Sequence, residues 1–181
     1  HGHFYARCVP PETWNKPWMQ NVERVVLVHR LREVVAQVGF TRFEAVSPDI
    51  DGELEIGVRR AALARETTWL PAIENRGEGV FLQFHTDAVQ RWAASAATTR
   101  RGEQLLAGYE AWKGDHHGAS RRFVETGALL PYVLFHSFSH LLITAVSLEC
   151  GYPASSIRER IYSMPDVGYG VLLYTGSSDA E

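Results

Sequence analysis

Lysine is almost missing from this chain. Lys16 and Lys113 are its two lysines among 18 basic residues, so arginine carries nearly all the positive charge. Arginine serves bidentate contacts to carboxylates and phosphates. The net charge of −3 argues against a surface that coats nucleic acid in general. Cysteine is scarce too. Cys8 and Cys150 stand far apart, which excludes a disulfide framework and points to a reducing, cytoplasmic setting. Residues 1–9 lack the apolar run of a secretory signal. The chain lacks an initiator Met and ends in a polar tail, as expected of a piece of a longer protein. Several catalytic signatures are absent: no phosphate loop, no dinucleotide fingerprint, no Gly-x-Ser-x-Gly and no Cys-x-x-Cys.

The most telling absence is local. From Ala128 to Leu148 there is no Asp, Glu, Lys or Arg. Leu130, Leu134, Phe138, Leu141, Leu142, Ala145 and Leu148 recur there at helical spacing. The run is long enough to span a bilayer, but two His, three Ser, one Thr and Pro131 argue for a core helix and no membrane partner. A helix this apolar is expected to be buried on most sides. One polar stripe interrupts it: Ser137, His140, Thr144 and Ser147, with His136 one turn before His140.

Around that helix the expectations are mixed. The Pro-rich residues 1–18 should not be helical, and Trp14 and Trp18 should pin them to the body. Leu27, Leu31, Val34, Val35 and Val38 suggest a helix from Val22 to Val38 capped by Gly39, although Val25, Val26 and Val28 allow an early strand. Phe40–Val46 and Leu54–Val58 read as strands. Thr68–Ile73 and Gly79–Phe84 read as a hairpin around Glu74–Glu78. Thr86 or Asp87 can cap a helix through Ala97. Ala154–Ser156 can cap a short helix through Arg160. Gly170–Thr175 reads as a buried strand. The fold expected is α+β. A central buried apolar helix at about 129–150 is packed by a mixed or antiparallel sheet and peripheral helices, in one domain over residues 1–181 with a peripheral insert at 98–120.

Three constellations could carry chemistry. His136 and His140, at i and i+4, can reach one metal ion, with an acidic third ligand such as Glu74 or Glu78, as in a metal-binding module or metal-dependent hydrolase; two ordinary core histidines are the plainer alternative. Glu74, Arg76 and Glu78, among Gly77 and Gly79, suit a partner- or ligand-binding loop or a solvated turn. Arg121, Arg122, Arg158 and Arg160 would serve phosphate contacts if they shared a face; surface ion pairs are the alternative.

Three ordered blocks are also familiar. They are His29–Arg42 (HRLREVVAQVGFTR), Trp69–Leu82 (WLPAIENRGEGVFL), and a third running from Phe135–Ile143 (FHSFSHLLI) through Ser147–Tyr152 (SLECGY) and Ser155–Tyr162 (SSIRERIY) to Gly170–Thr175 (GVLLYT). Their order and spacing resemble the C-terminal part of the DrmB family, helicase-associated subunits of the bacterial DISARM anti-phage system. More loosely they resemble the MrfA-like zinc-binding domain of some DNA-repair helicases. The resemblance implies a non-catalytic, cytoplasmic partner of a superfamily-2 (DrmA-like) DNA helicase, with DNA engaged directly or through that helicase. It also implies zinc in the full-length parent, held by a cysteine cluster beyond these residues. Two thiols cannot form a four-cysteine site, so no cofactor is expected within this chain.

Overall fold

The computed structural model describes residues 2–40, 61, 63, 66, 68–115 and 126–176. Five antiparallel strands form one sheet in the order β1-β2-β3-β5-β4. They are β1 (Phe4–Cys8), β2 (Val22–Ala36), β3 (Ala72–Phe84), β4 (Ile157–Met164) and β5 (Gly168–Thr175). Among the described residues four α-helices accompany them: α1 (Pro11–Trp14), α2 (Thr86–Ala93), α3 (Ala96–Asp115) and α4 (Thr126–Cys150). This is the expected α+β class, with a long apolar helix against an antiparallel sheet.

The sheet's inner face is read directly from the strand period of two. Val80, Phe84, Ile157, Ile161, Tyr169, Val171 and Leu173 meet Phe135, Phe138, Leu142 and Val146 of α4, and Val89 of α2 closes one end. Phe135 and Val171 are essentially sealed from solvent. Phe135 stands 5.0 Å from the Phe84 ring and 6.0 Å from Tyr169. Burial of α4 is one-sided. Leu141 and Leu148 are 71% and 80% exposed, so the expected burial on most sides holds only for the first half of the helix. By length and composition Leu129–Cys150 could cross a membrane, yet its other face lies against β4 and β5. Gly151 ends it at φ +74°, donating its N–H to Ser147, as a C-terminal glycine does.

Several expectations change. Val22–Ala36 is a strand rather than a helix, and Gly39 caps nothing; the valine-rich first half favours extended backbone, and β2 pairs on both edges. The expected hairpin is one continuous strand. Ala154–Ser156 forms a single 3-10 turn, after which Ile157–Met164 extends as β4 rather than a helix. The proline-rich start does hold one helical turn, because Pro11 stands at its first position, where no N–H is needed. Trp14 donates to the Val9 carbonyl at 3.1 Å, but Trp18 is exposed. The helix after Phe84 stops at Ala93, and residues 98–115 belong to α3, packed on α4 with Gly102 against Leu130. The strands expected at Phe40–Val46, beyond Phe40 itself, and at Leu54–Val58 lie outside the described residues.

Gly77 and Gly79 serve close packing rather than the expected turn. Both lie on the outer face of β3. A Cβ on Gly77 would come within 1.5 Å of the Thr175 carbonyl oxygen, and one on Gly79 within 2.2 Å of that of Leu173. Opposite them β2 is irregular between Val28 and Leu31. The bare backbone lets Glu33 of β2 reach past β3. Its carboxylate accepts from the Tyr174 hydroxyl at 2.9 Å and pairs with Arg158. Burial, then the bond to Glu33 and its charge, push the Tyr174 phenol above its ordinary value of 10.0.

Two measurements check this. Gly79→Ala should cost about 1–3 kcal/mol of stability, because the clash is with backbone; the urea midpoint reads it. Tyrosinate is disfavoured in the folded chain alone, so stability should hold below about pH 10 and fall as pH rises through the folded pKa. Tyr174→Phe should flatten that decline.

Candidate functional site

α4 and β4 cross beside the core at the free edge of the sheet. There the polar stripe of α4 meets Glu159. The period of β4 turns Ile157, Glu159 and Ile161 inward, so Glu159 is the one carboxylate between two buried isoleucines. Its Oε1 lies 2.9 Å from Nδ1 of His136 and 3.8 Å from Nε2 of His140. The imidazoles stand edge to face, with centroids 4.6 Å apart. One ligand atom from each of the three residues falls within 4.8 Å of the others.

The surroundings hold these groups in place. Ser139, wholly buried, hydrogen-bonds the other oxygen of Glu159 and the carbonyl of His136. Tyr132 stacks on His136 at 5.7 Å with ring planes 9° apart. Thr144 donates to the His140 carbonyl. His136 Nδ1 is buried without a hydrogen-bond partner, even though Glu159 Oε1 is so near. The carboxylate therefore sits close to the nitrogen but not in line with its N–H direction. His140 is the more open of the pair, its side chain 63% exposed.

The structure therefore brings His136 and His140 together and supplies the third group that the sequence does not reveal. Glu159 stands inside Arg158-Glu159-Arg160 and by residue order resembles part of a charged surface cluster. The strand alternation of residues 157–161 is the available signal. Glu74 and Glu78 are not that third group. Glu74 pairs with Arg32 at 2.6 Å and Arg76 at 2.8 Å, and those two guanidiniums hold its carboxyl below the usual range. Glu74, Arg76 and Glu78 sit within strand β3, not on a loop, with Glu74 and Arg76 paired to β2; the apolar strand signals on either side are parts of one strand.

The arginines divide. Arg158 and Arg160 share the outer face of β4 and neighbour Tyr174 and Leu172 across the β4–β5 ladder. Arg158 is engaged by Glu33. Arg160 lies 6.0 Å from the Tyr162 ring centroid and lines a shallow groove with Phe4, Phe81, Tyr162 and Tyr174. Arg121 and Arg122 lie outside the described residues. Cys8 and Cys150 are free and exposed at the ends of β1 and α4, so these residues do not fit a four-cysteine zinc centre.

No family model matches the chain. Among curated proteins, DISARM protein DrmB of Bacillus paralicheniformis is 37% identical to it over 184 residues. The alignment takes in 99% of this chain and 30% of that protein, so the chain spans under a third of the length of the curated relative it matches. The long blocks that resemble the DrmB family are thus part of a likeness running from end to end, and the chain matches a segment of DISARM protein DrmB.

Proposed function

We propose that the chain is a non-catalytic scaffold domain of a DISARM-type anti-phage defence complex in the bacterial cytoplasm. In this reading it docks a superfamily-2, DrmA-like helicase and supports that helicase's engagement of DNA. The observation that carries the proposal is the match of 99% of the chain to a DrmB segment. The one-sided burial of α4 is consistent with it. Leu141 and Leu148 present an apolar strip, and strips of that kind are commonly covered by another surface.

Direct DNA contact, where it occurs, falls to the outer face of the sheet. Arg160 stands there beside Phe81 and Tyr162, whose rings meet edge to face at 5.5 Å. Guanidinium and aromatic faces together suit phosphates and unstacked bases. Arg158 contributes less, because Glu33 already neutralises it.

Co-purification with the neighbouring helicase, with and without DNA, tests the scaffold role. A stable complex with higher DNA affinity than the helicase alone is expected, and failure to co-elute would overturn it. In the complex, Arg160→Ala should lower the slope of log affinity against log salt by about one, while Arg158→Ala changes it less. An unchanged slope in Arg160→Ala would remove direct phosphate contact from this face.

A further inference from the structure

We propose that His136, His140 and Glu159 bind a divalent transition-metal ion of the zinc class, which clips helix α4 to the edge strand β4. The site needs no helicase and no DNA, and it does not rest on the defence reading.

The geometry carries the argument. Bonds of about 2.0–2.1 Å around a tetrahedral ion put neighbouring ligand atoms about 3.3 Å apart. The two distances to Glu159 Oε1, 2.9 and 3.8 Å, bracket that value. Residues i and i+4 of a helix supply two imidazoles and a strand supplies the carboxylate, which leaves a fourth position for water. Imidazole with carboxylate suits zinc and its first-row neighbours better than calcium or magnesium.

The unpaired His136 nitrogen adds an independent observation. A neutral imidazole with its proton on Nε2 leaves a lone pair on Nδ1, 2.9 Å from Glu159 Oε1. Two acceptors at 2.9 Å repel unless a positive charge lies between them. A proton would be shared along the N–H direction, and no such hydrogen bond forms. A cation lying on the ring nitrogen's in-plane lone pair, and so off the direct Nδ1–Oε1 axis, can be bound by both. Around the three ligands, Ser139 holds the second carboxylate oxygen and Tyr132 the plane of His136. Outer partners of this kind orient ligands before the ion arrives. Partial exposure of both imidazoles leaves a path for entry.

Cobalt titration of the chelator-stripped 181-residue chain tests the site. One equivalent of Co²⁺ should give visible d–d bands without the near-ultraviolet band of a thiolate ligand, and Zn²⁺ should abolish them. His140→Ala and Glu159→Gln should weaken binding about a hundredfold or more, and Ser139→Ala about tenfold. His140 is mostly exposed, so His140→Ala should keep the wild-type circular dichroism. Zn²⁺ should raise the melting temperature of the wild type and leave that of Glu159→Gln unmoved. Absence of bands in folded wild type, bands unchanged in both ligand variants, or a thiolate band that vanishes in Cys150→Ser would each overturn the proposal.

Discussion

The placement of Phe135 governs the rest of the molecule. Its ring lies between Phe84 and Tyr169, almost wholly excluded from water, and so ties α4 to β3 and β5 at once. Burying an aromatic ring of this size is among the larger single contributions a core receives. Once it is seated, the helical repeat sets the positions of its neighbours. One turn on, Ser139 falls on the same buried line. His136 and His140, each one residue further, fall at the margin where sheet edge and solvent meet. The polar cluster is a consequence of how the apolar core is registered.

A second constraint acts through the absence of side chains. Gly77 and Gly79 remove two Cβ atoms from the outer face of β3 where the end of β5 comes close. Over that bare backbone Glu33 on β2 meets Tyr174 and Arg158 on the far strands. These contacts between residues distant in the chain lock the open face of the sheet. They also separate the two arginines: Arg158 is engaged by Glu33, and Arg160 is left beside the aromatic groove.

The two faces of the sheet therefore have separate chemistry. The inner face is apolar and ends in the His136, His140 and Glu159 cluster at its edge. The outer face mixes Phe81, Tyr162 and Tyr174 with arginines and a carboxylate. α4 is shared between roles, buried on the sheet side and apolar but open on the other.

Much of this was legible from residue order. Apolar spacing marked α4 and its end at Gly151, the run Gly170–Thr175 marked a buried strand, and i, i+4 spacing paired the two histidines, because each of these signals is local. The family likeness was legible as well, through three blocks in a set order. Residues 22–36 were not, since leucines and valines there fit both periods and the outcome rested on strands paired from either side. Nor were Gly77 and Gly79, whose meaning depends on carbonyls far along the chain. Glu159 was hidden for the same reason. A carboxylate between two arginines looks like surface until β4 is placed beside α4. Sequence determined which elements form where the pattern is local and strong; tertiary structure alone decided which distant side chains share a site, because only packing sets the distances between them.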